Sequence, residues 1–112
     1  MRYLLLISAD ESRVDRIATP EKGRQFQDWM DDLVQRGVLV AHEGLRPSPL
    51  ATTVRVRDDQ VLLTDGPFLE GKDQIGGFAL IDVDDLDAAI EIAAGHPASD
   101  FGQVEIRPVI GP

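Results

Sequence analysis

Six strand-like runs, with one helical pattern after the first and another after the fifth, predict an α+β domain. The order is that of a ferredoxin-like split βαβ arrangement with a β-hairpin inserted in its middle. Three features carry this prediction. Apolar residues recur at three- and four-residue spacing between Phe26 and Val34; Thr53-Val54-Arg55-Val56-Arg57 and Val104-Glu105-Ile106-Arg107 alternate; and residues 3–7 and 75–83 are strand-like apolar runs. At 112 residues the chain holds a single domain, 1–112, because one core of this size leaves no room for two.

Tyr3-Leu4-Leu5-Leu6-Ile7 is apolar at every position, as a central strand covered on both faces would be. Asp10 to Thr19 is polar and without period. Thr19 is placed to cap a helix whose first position suits Pro20. Phe26, Trp29, Met30, Leu33 and Val34 then form one face of that helix, with Phe26 and Trp29 assigned to the core, and Gly37 ends it. Val38-Leu39-Val40-Ala41 makes a second strand, which runs into His42-Glu43-Gly44-Leu45-Arg46 and is broken by Pro47 and Pro49. Thr53-Val54-Arg55-Val56-Arg57 pairs as a hairpin with Val61-Leu62-Leu63-Thr64 across Asp58-Asp59-Gln60. A polar turn follows, then the fifth strand, entered through Gly76-Gly77. Asp82, Asp84 and Asp85 stand where carboxylates complement the positive end of a helix dipole. Leu86, Ala89, Ile90 and Ala93 are the apolar stripe of this second helix, Gly95-His96-Pro97 stops it, and Val104-Glu105-Ile106-Arg107 is the last strand.

Composition narrows the function classes. The apolar content, 43%, is that of an ordinary globular protein, and no apolar run approaches the roughly 20 residues that span a bilayer, so no membrane partner is expected. Residues 1–8 carry one charge and too short an apolar stretch for a signal peptide and are read as strand. The chain has no cysteine, which removes disulfides, thiolate nucleophiles and thiolate-ligated metals together, and a cytoplasmic location is the default. Formal charge is −9, unevenly placed: residues 1–57 hold nine bases and eight acids, residues 58–112 only Lys72 and Arg107 against twelve acids. Such a surface repels phosphate backbones, so no nucleic-acid partner is expected, and a small anionic ligand would sit near the bases of the first half.

Two helices cover one face of the predicted sheet. The first strand is nevertheless apolar on both faces, and the fifth offers Phe78 and Leu80 on one side with Ala79, Ile81 and Val83 on the other. A second copy packed sheet against sheet is the simplest cover, which predicts a homodimer.

Thr64-Asp65-Gly66-Pro67-Phe68 with Glu70 and Lys72, then Gly76-Gly77-Phe78 and the closing Val104-Glu105-Ile106-Arg107-Pro108, resembles the DGPF-motif proteins of the YCII-related family. Gly44-Leu45-Arg46-Pro47-Ser48 is similar to that family's approach to its hairpin. The resemblance runs over nearly the whole chain. It implies a dimeric α/β-barrel fold, a bacterial cytoplasmic setting and no agreed activity; some members are encoded beside, or fused to, extracytoplasmic-function sigma factors, which makes a protein of such a system a further expected partner. Some members of the broader family carry a histidine on the first helix paired with an aspartate, proposed as a catalytic dyad. Gln25, Phe26 and Asp28 occupy that region here, so the dyad does not carry over.

The candidate site residues follow from their chemistry. Asp65-Gly66-Pro67 is a turn in its own right, since Asp accepts from nearby backbone donors, Gly tolerates positive φ and Pro fixes φ. It is also a rigid mount that would hold Asp65, Glu70 and Lys72 toward a cleft, Asp65 for proton transfer and the other two for ligand binding. Lys72 has the alternative of pairing with Glu70 or Asp73. His42, at a strand end beside Glu43, is a second candidate for acid–base work, although neighbours on a strand point to opposite faces and would not form a dyad. Arg46, Arg55 and Arg57 read either as an anion clamp or as a solvated strand face. His96 reads as a helix C-terminal neighbour. No cofactor is called for and no metal, since the two histidines lie far apart without ligand spacing. Two functions fit: a homodimeric small-ligand-binding or regulatory module, or a cofactor-free barrel enzyme using Asp65, with His42, on a small organic acid or carbonyl compound.

Overall fold

The computed structural model describes residues 1–13 and 18–111; residues 14–17 of the polar stretch 10–19 lie outside them. In chain order the described elements are β1 (Arg2–Asp10), α1 (Pro20–Gln35), β2 (Leu39–Gly44), β3 (Thr52–Arg57), β4 (Gln60–Asp65), β5 (Asp73–Asp82), α2 (Leu86–Gly95) and β6 (Gln103–Pro108). Short 3-10 turns occupy Glu11–Arg13, Ser48–Leu50 and Pro97–Asp100. The main sheet is antiparallel in the order β2-β5-β1-β6, and β3-β4 form a separate antiparallel pair. This is the expected ferredoxin-like topology with its inserted hairpin.

The helix ends follow local chemistry. The Lys22 backbone N–H donates to Thr19 Oγ1 at 3.2 Å, so Thr19 caps α1 as expected. At the other end Gly37 takes φ +69°, with Gly37 N–H donating to the Val34 carbonyl and Val38 N–H to that of Leu33. That pair of bonds is a Schellman motif, which satisfies two carbonyls the helix leaves open. α2 is capped by Asp85, whose side chain accepts from Ala88 N–H at 2.9 Å.

The core lies between the sheet and the two helices. Tyr3 and Leu5 of β1 face Ile81 and Ala79 of β5, and all four are buried with Trp29, Met30 and Leu33 of α1 and Ala89, Ile92 and Ala93 of α2. Trp29 Nε1–H donates to the Ile92 carbonyl at 2.8 Å and ties the helices together. Three expectations need correction. Phe26 is not core but 37% exposed, because it lies a turn before the buried part of α1, over a cavity described below. Val34 is exposed at the far end of the same helix. On α2 the buried stripe is Ala89, Ile92 and Ala93, with Leu86 and Ile90 half exposed, so its inward face is rotated from the one the sequence suggests.

Covering β1 on both faces is more than one chain achieves. Leu4 and Leu6, opposite Leu80 and Phe78, point away from the helices, and all four are only half-buried. The hairpin stands apart as well: nearly every residue of β3 and β4 is exposed. The Cα radius of gyration, 15.8 Å, accordingly exceeds the about 13 Å of a compact chain of this length. At the hairpin tip Asp58 and Asp59 take φ of 51° and 64°, a two-residue turn of the type I′ kind.

Candidate functional site

A cavity of about 730 Å³ opens where α1 crosses the far end of β1 and β5. The local backbone makes this space. The β1–β5 register shifts between Ile7 and Ser8, so that Gly76 is an extra residue on β5. Beside it, Gly77 lies so close to β2 that a Cβ there would stand 2.9 Å from the Glu43 carbonyl oxygen. Ile7, Ala9, Ile75, Phe26 and Phe101 give apolar walls, and Glu11, Lys22 and Arg46 supply charges. Glu11 is engaged, both its carboxylate oxygens accepting from Ser48 N–H at 3.2 and 3.0 Å, and Lys22 Nζ pairs with Asp100 at 2.8 Å.

His96 and Gln74 are the buried polar side chains of the described residues, and both line this cavity. Pro97 forces the residue before it out of helical geometry, so His96 (φ −70°, ψ 133°) ends α2 and starts the Pro97–Asp100 turn. Its ring turns inward, edge-on to Trp29 at 4.7 Å and to Phe26 at 5.7 Å between centroids. His96 Nδ1 accepts from Ala98 N–H at 2.9 Å. Burial lowers its pKa to about 4, so at neutral pH the ring is uncharged and its single proton is on Nε2. No described side chain or carbonyl accepts from Nε2, and among the described residues no side-chain nitrogen or oxygen is both sealed from solvent and unpartnered, so Nε2–H keeps access to open space. Gln74 is spent differently: its amide donates to the carbonyls of Leu69 at 3.0 Å and Gly71 at 3.1 Å, bracing the polar turn.

The expected site residues separate. Arg46 lines the main cavity. His42, opposite Ala79 and so on the helix-facing side of the sheet, lines a smaller adjoining cavity of about 160 Å³ that also reaches His96. Its neighbour Glu43 is opposite Phe78 on the other face, in keeping with strand alternation. Asp65 is the exposed last residue of β4, opposite Thr52, and lines none of these cavities. The backbone around it is held by Gly66 N–H to the Ala51 carbonyl at 2.7 Å and Thr53 Oγ1–H to the Gly66 carbonyl at 2.9 Å. Glu70 and Lys72 are exposed and form no ion pair among the described residues. Pro67, Phe68 and Leu69 wall a cavity of about 440 Å³ that shares Arg46 and Gln74 with the main one. Arg55 lies 5.5 Å over the Phe68 ring, whereas among the described residues Arg57 donates only to the Val56 carbonyl, so the three arginines do not converge in one clamp.

His96 and Gln74 are what sequence reasoning missed. For His96 the signal was the following Pro97, which turns the preceding residue out of the helix; for a lone glutamine before Ile-Gly-Gly there was none. Among the described residues no cluster of His, Asp or Glu is able to hold a metal ion, and no helix is long and apolar enough to cross a membrane.

An uncharacterized protein of Rhizobium meliloti is 33% identical over 114 residues, covering 97% of this chain and 92% of that one. Among solved structures, the 5-chloro-2-hydroxyhydroquinone dehydrochlorinase TftG of Burkholderia phenoliruptrix, in complex with 2,5-dihydroxybenzoquinone, shares the fold with a TM-score of 0.60 at 10% identity, over 100% of this chain and 96% of that one. The family model of the YCII-related domain matches residues 1–111, and the chain belongs to that family.

Proposed function

We propose that the protein binds a small organic molecule in the cavity between α1 and the bulged end of β1 and β5. The cavity itself carries this reading: about 730 Å³ lies within the range of small-molecule sites, its walls are mostly apolar, and its buried polar groups are few. The ring compound in the TftG complex supports it, as a ligand held by a protein of the same fold. Screening small ring compounds against isotope-labelled protein by NMR tests it. Shifts gathered at the amides of Ile7, Phe26, Gly76 and Ala98 are expected; shifts scattered over the surface, or none, refute it.

An acid–base enzyme is the second reading. His42 and His96 both line the smaller adjoining cavity, so proton transfer there would pass through histidine rather than Asp65. Turnover of any bound compound, abolished by His42→Ala with the fold intact, would support it.

The same proposal includes a homodimer. The half-buried Leu4, Leu6, Phe78 and Leu80 would be covered by a second copy, and Leu80→Asp should shift sedimentation from dimer to monomer. A link to a sigma-factor system, which the family resemblance implies, suits a binding module without turnover and is tested by co-purification of such a factor.

A further inference from the structure

The two buried polar side chains of the cavity differ in what they have left to offer. Gln74 has its amide hydrogens committed to the Leu69 and Gly71 carbonyls, which leaves it its oxygen as an acceptor. Among the described residues His96 has only Nδ1 committed, as acceptor of Ala98 N–H. That bond fixes the tautomer, because a ring nitrogen that accepts cannot carry the single proton of a neutral imidazole. His96 is 7% exposed and is gripped edge-on by Trp29 and Phe26, so its orientation is set before any ligand arrives. It therefore keeps one preoriented N–H donor on a ring that lines the cavity.

Building on the ligand-binding reading above, we infer that His96 Nε2–H is the specificity-determining donor of the cavity, and that it selects planar ring compounds presenting a bare acceptor oxygen, a carbonyl or a phenolate. The flat shape follows from the rings of Phe26 and Phe101 in the walls, against which a planar body stacks. The acceptor follows from the donor. At His96 a ligand offering only N–H groups meets a like group in a buried place and leaves both unpaired, the situation in which binding sites discriminate most strongly. Arg46, on the same cavity, favours any negative charge such an oxygen carries.

The test uses two planar probes of similar size: 4-nitrophenolate, which presents acceptor oxygens, and benzamidine, which presents donors only. Binding is read at pH 7.5 from Trp29, the single tryptophan, whose ring lies 4.7 Å from that of His96; 4-nitrophenolate quenches it by energy transfer, and benzamidine is measured by competition. Wild type should bind 4-nitrophenolate saturably and benzamidine at least about tenfold more weakly, against the pull of a net charge of −9 on a cation. Two substitutions divide the ring's functions. Asparagine in His96→Asn places its oxygen where Nδ1 stands and keeps the Ala98 bond without the cavity donor; glutamine in His96→Gln places an amide N–H near Nε2. His96→Asn should lose about tenfold or more in 4-nitrophenolate affinity, while His96→Gln stays within about threefold of wild type. Equal affinity of wild type for the two probes overturns the inference without recourse to any variant, as does wild-type affinity in a folded His96→Asn; in both cases the cavity reading stands. Saturable binding of neither probe, together with a blank NMR screen, overturns both.

Discussion

His96 should make the fold acid-sensitive in a way that one substitution removes. Its pKa is lowered from 6.5 to about 4 by burial, so the folded state resists a proton that the unfolded chain accepts. Above pH 6.5 both states are neutral at this position and nothing is lost. As pH falls from 6.5 to about 4 the unfolded state binds the extra proton, and stability drops by up to 1.36 kcal/mol per unit, about 3 kcal/mol in all. That is a substantial part of the roughly 5–15 kcal/mol typical of a domain. The carboxylates titrate over much of the same range, so the quantity to measure is a difference. Urea unfolding of wild type and His96→Asn, from pH 7.5 to 4 at fixed protein concentration, should give curves that converge as pH falls, wild type losing about 3 kcal/mol more than the variant. The Lys22–Asp100 pair, 2.8 Å apart at the neighbouring turn, is present in both proteins and cancels. Parallel curves would refute the reasoning, since they would mean that the imidazole gains its proton as easily in the fold as in water.

Three further outcomes follow from packing and backbone geometry. A methyl group at Gly102 would overlap the Ser8 carbonyl oxygen and Ala9 Cβ, so Gly102→Ala should cost about 3 kcal/mol, read as a lowered urea midpoint at unchanged slope. Trp29→Phe keeps the aromatic contact with His96 but leaves the Ile92 carbonyl without its donor; a loss of about 1–2 kcal/mol by the same assay is expected. At the hairpin tip, where two aspartates hold positive φ, the double change Asp58→Asn with Asp59→Gly should raise stability by about 0.5 kcal/mol, with the chemical shifts of the main sheet unmoved.

Much of the architecture could be read from the chain because periodicity and stop signals agreed. Thr19-Pro20 and Gly37 bracket α1 as capping chemistry requires, and the alternation through Val54-Arg55-Val56-Arg57 defines a hairpin strand without help from the rest of the fold. The inward face of α2 was harder, because a helix of ten residues with apolar groups on several sides takes its orientation from what it packs against, here Trp29 through Ile92. The cavity was illegible for a related reason. Its existence depends on one extra residue at Gly76 and on the turn after α2, and neither feature has a period. Polarity marks Asp65, Glu70 and Lys72 in the sequence, which the fold leaves in solvent, whereas the side chains it encloses are an amide and an imidazole with little to mark them.

The position of β1 between β5 and β6 has a consequence for how the protein is made. Leu5 is opposite Ala79 on one side and Ile106 on the other, so the strand's two hydrogen-bonding edges wait on segments synthesised some seventy and a hundred residues later. Such distant pairings slow folding, because the intervening chain must close a long loop before any contact rewards it. Until then Tyr3-Leu4-Leu5-Leu6-Ile7 is an apolar segment without a partner, the kind that associates with other unfinished chains or is held by chaperones. The strand at the centre of the finished sheet is therefore the one most exposed during translation, and the yield of folded protein should depend more on how quickly the last third of the chain emerges than on the stability finally reached.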